Sequence, residues 1–282
     1  MSDRLEIHLR RVKQEDRKKV IGVESKSTPN LSYVPDVWEM FTSDTGGEFS
    51  VAEIDGEIVA CGKQSVLPDG SAWLETLRVT PERQGLGVGK RFYERWLKQA
   101  EKLDINTLRM YTGLRNVRSK GLAERYGFHL AETFRGASYP CQPDKAGGNF
   151  QKVTSSERAN ELLAPLSDMW HGFHVINRTF YKHSPELYAY LVEKEMIYED
   201  PTTGSVVTLG ARFKPYDALH IGIFGGNMNA CLEYSMKLGV ERGSNRLNCD
   251  FPSSELSIEQ DLLAFGFNIS PSEFIVMEHH LV

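Results

Sequence analysis

Apolar and polar positions along this chain alternate in two rhythms, and the switches between them mark out a succession of short strands and helices. Residues 6–12 predict a first strand, and residues 15–24 a helix with Val20, Ile21 and Val23 partly inward. Ser27-Thr28-Pro29-Asn30 stops that helix, and residues 32–41, with Pro35 and Trp38, predict a second short one. Residues 49–54 and 57–66 read as strands joined by Asp55-Gly56, a pair suited to a type I′ turn. Residues 73–79 alternate again, and Thr80-Pro81 ends that strand because proline cannot donate to a ladder. A helix follows with Phe92, Trp96, Ala100 and Leu103 on one face, then a strand over 106–111 and a helix within 116–130.

The second half begins with residues 135–156, whose Gly, Pro, Ser and Lys content reads as a connection. Residues 157–199 predict helices, with one apolar stripe through Leu162, Leu163, Leu166, Met169 and Phe173 and another through Leu187, Tyr190, Leu191 and Met196. Strands are expected at 205–213 and 219–224, then a Gly225-Gly226 turn and a helix over 229–238. A strand at 246–249, a helix at 255–265 and a strand at 273–280 complete the chain. The last seventy or so residues thus repeat the earlier order, and the helix ending at Phe265-Gly266-Phe267 echoes Tyr126-Gly127-Phe128. Domains are expected at 1–140 and 156–282, with a linker over 141–155.

Composition narrows the functional classes. The 282 residues are 40% hydrophobic and 25% charged, as in an ordinary globular protein. A net charge of −5 argues against nucleic acid as the main partner. The N-terminal stretch is basic without an apolar run, so neither a leader nor a membrane span is expected, and the cytoplasm is the expected compartment. Cys61, Cys141, Cys231 and Cys249 lie far apart with no C-x-x-C, which predicts reduced thiols and no zinc site. His279 and His280 are adjacent, and so face opposite ways on a strand, which argues against a metal pair.

The chemistry concentrates between Trp73 and Lys102. Arg83-Gln84-Gly85-Leu86-Gly87-Val88-Gly89 lies between a strand and a helix. Glycines admit close backbone approach, and a helix start offers unpaired N–H groups and partial positive charge, which together make an anion site. A Walker A loop is excluded because Gly89-Lys90 is followed by Arg91 and Gln84 occupies the first glycine position. The dinucleotide pattern G-x-G-x-x-G fails at Lys90. Three glycines at alternate positions each weaken the helix start by roughly 0.5–1 kcal/mol, a cost that ligand approach would justify.

The spacing Q-x-x-G-x-G, met by Gln84, Gly87 and Gly89 after a strand carrying Leu77-Arg78-Val79, resembles the acetyl-CoA loop of the GNAT superfamily of N-acetyltransferases. A second motif of that family, N-x-x-A-x-x-L-Y-E-K-x-G-F, is matched by Asn116, Leu122, Glu124, Arg125, Gly127 and Phe128. The resemblance spans roughly residues 6–135. With the repeated element order of the last seventy or so residues, it implies an α/β (α+β) fold of tandem GNAT-like domains, each a mixed, mostly antiparallel sheet flanked by helices; the second is expected to be degenerate and without acetyl-CoA, because residues 222–227 lack the Q-x-x-G-x-G spacing. It also implies that the backbone of Leu77, Arg78 and Val79 pairs with the pantetheine arm of acetyl-CoA. Amides of Gln84, Gly85, Leu86, Gly87, Val88, Gly89 and Lys90 would cradle the pyrophosphate, with charge from Arg83, Lys90 and Arg91, and Asn116 would bond the pantetheine arm.

Glu75, two residues before Leu77 and expected on the same strand face, is the candidate base. The family's usual acid, a tyrosine, falls on Ala123; Tyr126, one helical turn later, is the candidate acid, with Tyr111, Tyr33 or solvent as alternatives. Ser32-Tyr33-Val34-Pro35 and the degenerate C-terminal partner further resemble the histidine N-acetyltransferase-like branch, whose acceptor is a free amino acid. The expected activity is direct acetyl transfer from acetyl-CoA to a primary amine of a small molecule or amino acid, with no metal. A non-catalytic acyl-CoA sensor is the alternative, and a homodimer is allowed.

Overall fold

The computed structural model describes residues 6–281 and divides into two compact units that interleave along the chain. Unit 1 comprises the chain to Met110, Val117–His129 and the residues from Met277 onward; unit 2 comprises Tyr111–Asn116 and Leu130–Val276.

In unit 1, strand β1 (His8–Arg11) is followed by helices α1 (Arg17–Ser27) and α2 (Val34–Ser43), then strands β2 (Glu48–Ile54), β3 (Glu57–Val66) and β4 (Ala72–Val79). Asp55 and Gly56 both have positive φ, as the type I′ turn between β2 and β3 requires. Helix α3 (Val88–Lys102), strand β5 (Thr107–Gly113) and helix α4 (Val117–Glu124) follow. The first four strands pair antiparallel in chain order, and β4 pairs parallel with β5. Helix α2 seals one face through Trp38 and Phe41, both edge-on to Phe49. Helix α3 packs on the other face so closely that a Cβ on Gly62 would fall 2.8 Å from Phe92 and Trp96. Of its expected stripe, Phe92, Trp96 and Ala100 are buried, whereas Leu103 lies past the helix end and is 44% exposed.

Unit 2 repeats that plan. Strand β6 (His129–Pro140) leads to β7 (Gln151–Lys152), helix α5 (Ser156–Leu163), strands β8 (Phe173–Ile176) and β9 (Thr179–Lys182), and helix α6 (Pro185–Glu193). Then come β10 (Ile197–Asp200), β11 (Ser205–Gly210), β12 (Ala218–Gly225), α7 (Met228–Glu241), β13 (Arg246–Pro252), α8 (Leu256–Phe265) and β14 (Asn268–His280). Strands β7, β10, β11 and β12 pair antiparallel, and β12 pairs parallel with β13, the counterpart of β4 with β5.

Two expectations are corrected. Residues 157–199 are not all helical: Phe173–Ile176 and Thr179–Lys182 form a hairpin, turned by Asn177 and Arg178 with φ of 50° and 54°. This is a type I′ turn made without glycine, which explains why the sequence hid it. The expected domain cut at 140, with its linker at 141–155, falls inside unit 2. The reason is that β6 pairs from Phe134 to Pro140 with Pro252 to Arg246 of β13. Chain order would have β6 close unit 1; that place is taken by the last residues of β14, where Leu281 N donates to Asn106 O at 2.8 Å. The two repeats have exchanged closing strands.

In unit 2 the His171 ring bridges Glu132, through Nδ1 at 2.5 Å, and Glu255, through Nε2 at 2.8 Å. Burial lowers its pKa, but the two carboxylates outweigh burial and raise it above the ordinary value. A raised folded-state pKa contributes stability that is complete below the unfolded value, near 6.5, and is lost as pH rises through the folded value. Urea denaturation followed in unit 2 is therefore expected to show stability that falls as pH rises above about 6.5. His171→Gln should flatten that slope, and an unchanged slope in the variant would assign it to another group.

Candidate active site

The site is built on β4. Its parallel pairing with β5 is registered at Ala72, Trp73 and Leu74 (with Leu108, Arg109 and Met110), and among the described residues it goes no further. The cause lies at Thr76, which has a φ of 61°, a left-handed conformation that costs a β-branched residue on the order of 1–3 kcal/mol. The β3–β4 register shifts there: Lys63 faces Glu75 and Cys61 faces Arg78, so β4 carries one extra residue. Beyond this bulge, Leu77, Arg78 and Val79 keep β3 on one side while β5 has left the other.

The bulge also changes which face each side chain takes. Leu77 Cδ2 lies 3.9 Å from the Cβ position of Gly89, so Leu77 faces α3. Glu75 faces the other way: it stands opposite Lys63, whose ammonium pairs with Asp44 after α2 and lies over the Phe41 ring, and it accepts a 2.7 Å bond from Ser65 Oγ. The expectation that Glu75 and Leu77 share a face fails because the inserted residue breaks the two-residue alternation.

On that Glu75 face, Tyr33 and Thr76 join hydroxyl to hydroxyl, which ties the start of α2 to the bulge. Glu24, buried in α1, accepts from the amides of Tyr33 and Val34 at 3.2 Å and thereby fixes the segment that carries Tyr33. Burial raises the Asp44 carboxyl, but Lys63 and the amides of Gly46 and Gly47 hold it below the usual carboxylate range. The Cys61 thiol, wholly buried beneath the same face, is pushed up to about 12 and so stays protonated. The sequence offered Tyr33 only as an alternative and missed Glu24. A clue existed, since Glu24 follows Val20 by four residues and so shares the inward face of α1.

The glycine-rich turn lies at the far end of β4. Arg83 closes a short 3-10 turn over Pro81–Arg83, and the Gln84 side chain donates back to Val79 O at 3.1 Å, which clips the loop to the strand end. Gln84 Oε1 accepts from Arg118 of α4, a cation beside the loop that the sequence reading had not singled out. Gly85 and Gly87 have φ of 83° and 89°, and a Cβ on either would meet open space. Gly89 serves a different purpose: its Cβ would fall 2.9 Å from Leu122 Cδ2, so this glycine seats α4 against α3. Leu86 and Lys90 are exposed, and Val88 is buried as the first helical residue.

Gly87 caps α3 with no side-chain hydrogen bond, so the first-turn amides of Val88, Gly89 and Lys90 lack the usual acceptor. The counterpart in unit 2 is closed. There Asn227 Oδ1 accepts from Ala230 N at 3.1 Å, a Cβ on Gly225 would fall 2.5 Å from Leu166, and one on Gly226 would fall 2.7 Å from Ser205.

Tyr126 and Asn116 have these partners. The Tyr126 hydroxyl donates to the Lys90 carbonyl at 3.1 Å and to Glu94 at 3.4 Å, and its ring stacks on Tyr93. Burial and the Glu94 charge both raise its pKa. Its hydroxyl is thus engaged along α3, while Ala123, where the family's tyrosine would fall, is fully buried. Asn116 belongs to the segment Tyr111–Asn116 of unit 2, where its amide donates to Gly113 O at 2.8 Å.

Comparison with known proteins bears on the fold. Residues 17–128 match the model of the acetyltransferase (GNAT) family. No curated protein matches the sequence. A GCN5-related N-acetyltransferase from Sphaerobacter thermophilus aligns at 13% identity and a TM-score of 0.66 over 99% of this chain and 96% of its own. A tandem GNAT protein from the clavulanic acid biosynthesis pathway aligns at 14% and 0.61, over 98% of both chains. A GCN5-related N-acetyltransferase from Kribbella flavida aligns at 13% and 0.58, over 100% of this chain and 72% of its own. The fold is therefore that of tandem GNAT proteins: mixed α/β, with helices flanking a mostly antiparallel sheet.

Gly87 and Gly89 should respond differently to substitution. Gly87→Val forces a β-branched residue to positive φ and is expected to cost roughly 1–3 kcal/mol in urea denaturation. Gly89→Ala asks only the tip of Leu122 to shift and should stay within about 1 kcal/mol of the parent. The reverse order would mean that the φ at Gly87 does not govern the loop.

Proposed function

We propose that unit 1 is an acetyl-CoA-dependent N-acetyltransferase that acetylates a primary amine of a small molecule or free amino acid by direct attack. The observation that carries this reading is the uncapped start of α3 beside the unpaired edge of β4. An extended, amide-bearing arm that ends in a pyrophosphate needs both at once: a strand edge to pair with and a cluster of N–H donors at its end. Leu77, Arg78 and Val79 would pair with the arm. Amides from Gln84 to Lys90 would hold the pyrophosphate, with Arg83, Lys90 and Arg118 supplying charge. Unit 2, its corner filled by Leu166 and capped by Asn227, would take no cofactor.

The acceptor side is the face of Glu75, Tyr33 and Arg78. Glu75, held by Ser65, would take the ammonium proton directly or through a water, and the free amine would then attack the thioester carbonyl. Collapse of the tetrahedral intermediate breaks the carbon–sulfur bond and releases the CoA thiolate, and the nitrogen gives up its remaining extra proton to solvent to leave the neutral amide. Tyr33, held at the bulge by Thr76, is better placed than Tyr126 to return a proton to the sulfur. Arg78 stands opposite Cys61 on this face with its Nε buried and without a partner among the described residues. That favours an acceptor bearing a carboxylate, as in the free amino acids of the histidine N-acetyltransferase-like branch.

Steady-state kinetics on Glu75→Gln test the assignment. With an amine found by a panel screen, kcat/KM at neutral pH should fall about 10²–10⁴-fold. Affinity for acetyl-CoA should be unchanged, and Tyr126→Phe should leave the rate near that of the parent. Unchanged turnover in Glu75→Gln would remove it as the base. Binding of acetyl-CoA with no amine in the panel acetylated would support a non-catalytic acyl-CoA sensor instead.

A further inference from the structure

Away from the residues assigned to acetyl transfer, unit 1 gathers two imidazoles and a carboxylate. Alternation along β14 puts Glu278 and His280 on one face and sends His279 to the other, where its Nδ1 meets Gly127 O at 3.0 Å and its ring lies on Phe128. The opposed faces expected for the adjacent histidines are thus found, but His280 has another partner. His129, at the start of β6, brings its ring to 5.8 Å from that of His280. One ligand atom from each of His129, Glu278 and His280 lies within 4.8 Å of the others.

We propose that these three residues form a divalent transition-metal site, with zinc as its natural occupant. Two imidazole nitrogens and one carboxylate oxygen make a three-ligand set that suits zinc and its neighbours rather than magnesium or calcium, which favour all-oxygen shells. Two of the three groups, His280 and Glu278, are held from behind, as metal ligands are. His280 Nδ1 meets Thr107 Oγ1 at 3.1 Å, which leaves Nε2 directed at Glu278 Oε1, 2.9 Å away. The other oxygen of Glu278 accepts from Arg109 Nε, and Arg109 Nη1 is itself tied to Asp69 at 2.6 Å and Ser71 at 2.8 Å. Asp69, Arg109 and Glu278 together leave one net negative charge in a buried setting, which attracts a cation. Both histidines are exposed, so an ion has a path in and a water can complete the shell.

Binding would place the ion between His280 Nε2 and Glu278 Oε1, which now meet at 2.9 Å. It would also fasten the exchanged end of β14 to β5, through Thr107 and Arg109, and to the head of β6. The metal would act as a staple on the strand that closes unit 1.

Calorimetric titration of the metal-free full chain with zinc chloride, together with thermal unfolding, tests the site. One zinc per chain is expected. A hundredfold excess over Kd should raise the melting temperature by about 5 °C, and magnesium chloride should do neither. His129→Ala and His280→Ala should each abolish the binding; His129 is exposed, so its variant is expected to fold. Thr107→Val should weaken binding by about tenfold or more through the lost support. His279→Ala should retain it. Absence of zinc binding, or binding that survives both His129→Ala and His280→Ala, overturns the proposal.

Discussion

The kink at Thr76 is the constraint on which the candidate site depends. One residue of β4 in a left-handed conformation inserts an extra position opposite β3 and coincides with the end of β4–β5 pairing. The splay leaves a strand edge without its neighbour. The same insertion turns Glu75 and Thr76 toward α1 and α2 while Leu77 turns toward α3. A strained β-branched residue persists only where its surroundings over-determine it. Here the Tyr33 hydroxyl on Thr76, and Glu24 on the amides around Tyr33, supply that determination.

The two repeats show how one plan can be open in one copy and shut in the other. Both run strand, turn, helix, parallel strand, and both bear a register shift in the hairpin before the turn. In unit 1, Gly85 and Gly87 leave space above an uncapped helix; in unit 2, Leu166, Ser205 and Asn227 fill and cap the corresponding corner. The exchange of β6 and β14 gives each unit a closing strand encoded outside its own stretch of chain. In unit 1, that strand's Glu278 completes a buried charge network with Arg109 and Asp69. Among the described residues no helix is long and apolar enough to cross a membrane.

The sequence carried the fold as far as local pattern can. Periodicity located the strands and helices of residues 6–130, and the spacing of Gln84, Gly87 and Gly89 identified the loop, because glycine requirements are written in single residues. What it missed depends on distant chain. No local signal says that β6 will pair with β13 rather than β5, since its alternation is the same in either sheet. Thr76 is neither glycine nor asparagine, so the bulge and the re-aimed Glu75 were hidden. Tyr126 is one helical turn from the expected position, but its hydroxyl found acceptors on α3, a choice set by packing. Reading all three glycines as ligand-facing was also too simple, because Gly89 answers to Leu122.

The central claim is that the open corner of unit 1, and not its closed counterpart, receives acetyl-CoA. Calorimetric titration of the full chain with acetyl-CoA addresses it most directly through the stoichiometry. The account predicts one molecule bound per chain. Two per chain would mean that the filled corner of unit 2 opens, and none would mean that the free edge of β4 and the bare start of α3 serve some other ligand.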